Sequence, residues 1–172
     1  MMVAGSLYMA FVFSYLYIWT VAPQHWPPND GNLPELGDLS ASAGLLIAAA
    51  CAVFEAGKVL AVSRTGCAAL VLAAVAALSG SLWIEVSGHW ATGLRPDASG
   101  YAALVYLGSA LQFQIVSAIA VMAGFILARF AMGLVTDARR VTFESLALLI
   151  FYAVGQGLLG LLVVHGFPRG LA

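Results

Sequence analysis

The side chains able to do chemistry in this chain are few enough to take singly. His25, His89 and His165 raise the question of haem or transition-metal ligation. All three fall at the expected outer ends of apolar segments or in outer loops. Each reads as unpaired, with neither another histidine nor a carboxylate expected at i, i+4, and none sits mid-segment where a haem is held. They read as interfacial histidines, and no metal or cofactor site is expected in the chain. Gln112 and Gln114 lie near the middle of one apolar stretch, and Gln156 near the middle of another. A buried amide costs free energy in hydrocarbon unless it is hydrogen-bonded. All three glutamines are therefore expected to face a bundle interior or a partner, as interhelical glue, with a substrate path lined by them as the alternative. Glu55 and Lys58, three apart, can neutralise each other while Lys58 snorkels. Glu85 approaches one end of its segment and Glu144 opens another. With the acids near interfaces, a proton-conducting role for the chain alone is weakly supported. Cys51 and Cys67 stand outside any CxxC or metal spacing and read as small apolar helix residues. Gly155-Gln156-Gly157 lies inside a helical pattern, so it is not a phosphate loop, and there is no nucleophile elbow. No catalytic residue is expected.

The elements that must position these residues follow from charge. The 172 residues include 7 Lys+Arg and 8 Asp+Glu, 9% charged, with 62% hydrophobic residues and a mean hydropathy of +0.97. A soluble domain carries about 25% charged residues. The composition excludes a cytosolic globule, a disordered chain and a nucleic-acid binder. Windows 1–29, 39–54, 65–84, 98–128 and 145–168 contain no Asp, Glu, Lys or Arg and cover 120 residues. A helix needs about 20 apolar residues to cross a hydrocarbon core of about 30 Å. The expected fold is all-α, one polytopic membrane domain over 1–172 with five transmembrane helices. The spans are expected at about 2–22, 39–61, 66–87, 99–128 and 142–165. The fourth is longer than a straight crossing requires, so it tilts or protrudes. Thr142 is the expected N-cap of the fifth, with Glu144 in its first turn. Residues 1–22 lack a basic n-region and a good cleavage site, and read as a permanent span.

Lys58, Arg64, Arg129, Arg139 and Arg140 lie on one side of this topology, and Arg95 and Arg169 on the other. That bias predicts a cytoplasmic N-terminus and an external C-terminus. Tyr15, Tyr17, Trp19, Trp26, Trp83 and Trp90 gather at the expected outer ends, where an interfacial belt belongs. Span four repeats Ala103, Ala110, Ser117 and Gly124 every seven residues, with Ala120 and Ala128 nearly on the same face. Span five offers Ala153, Gly157 and Gly160. Small residues let helices approach closely, so both stripes are expected to pack, within the chain or against a partner.

The run Phe13-Ser14-Tyr15-Leu16-Tyr17-Ile18-Trp19-Thr20-Val21-Ala22-Pro23, leading into Trp26-Pro27-Pro28, resembles cytochrome c oxidase subunit III. The nearest likeness is to the subunit III part of bacterial fused subunit I/III polypeptides. The order that follows is also similar: Glu85 near a helix end, Gly100-Tyr101 entering a long helix, a basic loop, and Phe143-Glu144 opening the last helix. The resemblance covers nearly the whole chain and matches the last five of the family's seven helices. Departures fall at Gly5, in the region where the family has an acid, and at Gln112-Phe113-Gln114, where it has two histidines. Phe151 and Val154 stand near the positions of a further His and Asp. Only Glu144, Glu85 and the Trp26-Pro27-Pro28 loop carry over. The resemblance implies an accessory, non-catalytic subunit of a haem-copper terminal oxidase in the bacterial cytoplasmic membrane. Such a subunit holds phospholipid and lacks haem and copper, which sit in partner subunits I and II. Rival readings are an accessory protein of a quinol oxidase or nitric oxide reductase, and a small transporter acting alone.

Overall fold

A computed structural model of the chain describes residues 2–22, 35–135 and 140–167. Among the described residues there are five helices long and apolar enough to cross a membrane. These are α1 (Met2–Val21), α2 (Leu36–Val59), α3 (Arg64–Ala91), α4 (Gly100–Ala131) and α5 (Val141–Leu161), the last continued by a π-helical turn, Leu162–Gly166. His25, Trp26-Pro27-Pro28, Arg139 and Arg169 lie outside the described residues.

The chain chemistry at the helix ends accounts for most of the boundaries. Ser63 and Ser99 cap α3 and α4, their hydroxyls accepting from Gly66 N (3.0 Å) and Ala102 N (3.1 Å). Gly93 (φ +79°) and Gly133 (φ +69°) end the same two helices in the left-handed conformation. In each case the next residue reaches back, Leu94 N to His89 O at 3.2 Å and Leu134 N to Arg129 O at 2.9 Å, which is a Schellman closure. Thr142 is not the cap of α5. The cap position falls two residues earlier, at Arg140, and the first turn from Val141 is stapled by an Arg140 Nε–Glu144 Oε1 pair at 2.8 Å.

Helices α2, α3, α4 and α5 form a ring in which each packs on its two sequence or ring neighbours, while α3 and α5 stand diagonally apart. The pairing is antiparallel: Ser42 meets Ser81 (Oγ–Oγ 2.7 Å), Glu85 meets Ser109, and Gln112 meets Ala153. Helix α1 lies outside the ring, against α4 and the end of α5. One core runs through the ring around Leu46, Val53, Val71, Leu78, Ile119, Ile126, Leu146 and Ile150. A second, aromatic core of Tyr8, Phe11, Tyr15 and Tyr101 joins α1 to it. At a rise of about 1.5 Å per residue, the 32 residues of α4 span about 48 Å and the 28 of α3 about 42 Å, well beyond a hydrocarbon core. Both helices protrude at one end or the other.

The two small-residue stripes have different fates. The α5 stripe packs inward as expected: a Cβ on Gly160 would sit 2.5 Å from Tyr8 Oη, and one on Gly157 2.9 Å from Leu46 Cδ1. The α4 stripe does not pack within the chain. Ala103, Ala110, Ala120, Gly124 and Ala128 are exposed and Ser117 half-buried. The heptad spacing follows one face faithfully, but Gln112, Ile119, Ala123 and Ile126 occupy the face that the ring buries, and Gly108 is buried against Phe11 of α1. Tyr15 departs from expectation too. It is fully buried and donates its hydroxyl to Val164 O at 3.3 Å, whereas Tyr17, Trp83 and Trp90 are exposed as a belt requires.

Candidate functional site

The bundle gathers polar side chains where α3, α4 and the end of α5 converge. Counting along each helix sets the depth. Glu85 is 21 residues from Arg64, Ser109 is 20 from Arg129, and His165 is 21 from Glu144. Each separation is about 30 Å of helix, one hydrocarbon thickness. The cluster therefore sits one membrane thickness from the basic end, close to the opposite boundary.

Glu85, on α3, is half-buried, and Ser109 Oγ of α4 donates to its Oε1 at 3.2 Å. One turn further along α3, His89 is 0% exposed; His165, in the π-turn, is 1% exposed. Their imidazoles stack at 5.0 Å between centroids with a 20° interplanar angle. The donor atoms of Glu85, His89 and His165 all lie within 4.8 Å of one another. Among the described residues neither ring nitrogen of His89 has a hydrogen-bond partner. The surroundings hold the rings in place. Thr92 Oγ1 donates to His89 O (2.9 Å), fixing the last turn of α3, and the Tyr106 ring lies 6.0 Å from that of His89. Tyr106 Oη donates in turn to Leu94 O at 2.9 Å, so the α3–α4 loop is tied down beside the cluster.

These positions correct the reading of the histidines as isolated interfacial side chains. His89 and His165 are interior and in contact. The expectation that no carboxylate stands at i, i+4 from a histidine fails as well: Glu85 and His89 have that spacing, which puts a carboxylate and an imidazole on one helix face and was the available signal. His165 is 76 residues further along the chain, and only the packing of α5 brings it there.

The three glutamines separate. Gln112 is buried and donates from Nε2 to Ala153 O at 3.0 Å, bridging α4 to α5 as interhelical glue. The absence of a side chain at Gly157 makes the room, since a Cβ there would sit 3.1 Å from Gln112 Nε2. Gln156 is buried at the wall of a cleft between α1, α4 and α5. Gln114 does not face the interior. It is exposed in that cleft, of about 300 Å³, among Val3, Leu7, Leu111 and Ile115. Two residues on a helix are about 200° apart, so Gln112 and Gln114 cannot share an inward face. Among the described residues Gln114 and Gln156 line this cleft, and Gln112 does not. Replacing Gln112 with Leu removes the bridge to Ala153. Detergent-solubilised protein is expected to lose about 0.6–2 kcal/mol, read as a lower thermal midpoint, and an unchanged midpoint rejects the bridge.

Of the remaining acids, Glu55 pairs with Lys58 at 2.7 Å, and Glu144 with Arg140, all four exposed at the basic end. Lys58 Nζ also lies 4.3 Å from the centre of the Phe54 ring. Pairs this exposed contribute at most about 1 kcal/mol. Between them runs a groove of about 340 Å³ floored by Val53, Gly57, Phe143 and Phe151. Cys51 is exposed and Cys67 buried, both free.

The fold and these sites define a polytopic membrane protein that is all-helical among the described residues, with five apolar helices there and a polar cluster at one end. No protein-family model matches the chain, and no curated protein matches it in sequence.

Proposed function

We propose that this chain is an accessory, non-catalytic subunit of a haem-copper terminal oxidase in a bacterial cytoplasmic membrane, similar in role to oxidase subunit III. Haem and copper belong to partner subunits I and II, where electrons pass from cytochrome c to oxygen, and this chain stabilises the catalytic subunit and binds phospholipid. The observation that carries the reading is the outward face of α4. Five small residues, Ala103, Ala110, Ala120, Gly124 and Ala128, are exposed along a helix that gives them no neighbour of its own. Lipid gains nothing from such a stripe, whereas another helix can approach closely along it. A shallow groove of about 360 Å³ beside it, between α3 and α4, presents Trp83, Val86, Phe113 and Ala120. The helix order and the Gly100-Tyr101 and Phe143-Glu144 entries add the resemblance noted above. The α1–α4–α5 cleft and the groove under Lys58 and Arg140 suit phospholipid, acyl chains along the apolar walls and a phosphate near the cations. The basic end faces the cytoplasm by the Lys and Arg bias, with the N-terminus inside and the C-terminus outside.

Purification from native membranes in mild detergent tests the assignment. The chain is expected to co-purify with a larger subunit showing a reduced haem spectrum. Gly124→Trp, placed on the stripe where nothing lies within 4 Å of the glycine, should release that partner without lowering the thermal midpoint of the released chain. Isolation of the wild-type chain as a stable lone oligomer, with no haem-bearing partner, contradicts the assignment.

A further inference from the structure

Buried imidazole nitrogens are nearly always hydrogen-bonded, because an unsatisfied one keeps the full cost of its lost hydration. His89 breaks that rule with both nitrogens, in a fully buried ring 5.0 Å from a second buried imidazole and in the same cluster as a carboxylate. We propose that Glu85, His89 and His165 form a binding site for one borderline divalent transition-metal ion, with Zn²⁺ the best fit.

Two imidazoles and one carboxylate form a donor set that suits Zn²⁺ and disfavours Mg²⁺ or Ca²⁺, which take oxygen ligands. The three donor atoms lie within 4.8 Å of one another. A tetrahedral ion with bonds of about 2.0–2.1 Å holds its ligands about 3.3–3.4 Å apart. Loading therefore draws the three inward by roughly 1 Å, which small rotations about the imidazole χ2 torsions supply. The outer shell is already present. Ser109 Oγ holds Glu85 Oε1, leaving the second carboxylate oxygen for the ion. Three protein ligands leave a fourth position for water or another donor. The cluster's depth, close to the membrane boundary opposite the basic end, puts it within reach of an ion from that aqueous side.

The topology gives the ion a structural task. Glu85 and His89 belong to α3 and His165 to the end of α5, the two helices that stand diagonally across the ring. An ion bound by all three ties that diagonal together. It stabilises the bundle by mass action in proportion to its occupancy.

The test uses the full chain purified in detergent, stripped with chelator and titrated with Zn²⁺ and Co²⁺. One equivalent per chain is expected, with a tetrahedral Co²⁺ d–d spectrum and a rise of several degrees in thermal midpoint. His89→Ala and His165→Ala should each weaken Zn²⁺ affinity at least about 100-fold, and Ser109→Ala about 10-fold. Glu144→Gln, at the far end of the bundle, should leave it unchanged. X-ray absorption on the wild-type chain keeps the question decidable if a histidine variant fails to fold: two imidazole scatterers are expected. Affinity unchanged in the histidine variants, or an absorption spectrum without imidazole scattering, overturns the site. Neither readout involves an oxidase partner, so the metal site and the accessory-subunit assignment stand or fall separately.

Discussion

Replacing Gly157 with Leu should break the bundle, whereas the same substitution at Gly155, two residues away, should be nearly silent. At Gly157 even a Cβ would sit 2.9 Å from Leu46 Cδ1 and 3.1 Å from Gln112 Nε2, one contact from α2 and one from α4. Both neighbours are buried, so neither can swing into open space. At Gly155 nothing lies within 4 Å and the position is exposed. Overpacking a filled interior typically costs about 1–3 kcal/mol. A full leucine at a three-helix junction, which also displaces the Gln112–Ala153 bridge, belongs at or above the top of that range. The expected result is a Gly157→Leu protein that aggregates in detergent or melts at least 10 °C lower, beside a Gly155→Leu protein within a few degrees of wild type. Similar midpoints for the two variants refute the α2–α4–α5 junction.

The second large effect concerns α1, which sits outside the ring and depends on a few insertions. Phe11 packs onto Gly108 of α4, where an added Cβ would fall 2.8 Å from its ring, and Tyr8 Oη occupies the space left open by Gly160. Gly108→Leu should therefore expel Phe11 and loosen α1 while leaving the four-helix ring assembled. Limited proteolysis of the link between α1 and α2 reads this directly: cleavage should accelerate several-fold. Because the clash is with one ring, Phe11→Ala in the same chain should recover much of the loss. A coupling energy of about 1–3 kcal/mol is expected from the double-mutant cycle. Strict additivity of the two substitutions means that the contact between α1 and α4 is made elsewhere.

The elements themselves were legible in the chain. Charge-free windows located all five spans to within a few residues, because placing a charge in hydrocarbon costs several kcal/mol and leaves an unmistakable gap in the sequence. Helix ends were less legible. Ser63, Ser99, Gly93 and Gly133 carry local signals, but α5 starts at Val141, after Arg140 and without a side-chain cap, instead of behind a Thr142 cap.

Faces were the harder matter. Small residues at heptad spacing mark a helix face without saying which way it points. The stripes on α4 and α5 look alike as letters, yet one faces outward and the other receives Leu46, Gln112 and Tyr8. In lipid both faces of a helix are apolar, so the hydrophobic periodicity that separates inside from outside in a soluble protein is weak here. Gln114 and Tyr15 were misplaced for the same reason.

By itself the sequence determined five segments long and apolar enough to cross a membrane, with five of its seven cations on one side, since length and charge act locally and need no partner. Only the tertiary structure decided which polar residues meet. Glu85 and His89 are neighbours by helical spacing, but His165 joins them through the closure of α5 on the ring. A contact across 76 residues is fixed by packing, and packing among apolar helices depends on shapes such as the missing side chains of Gly157 and Gly160.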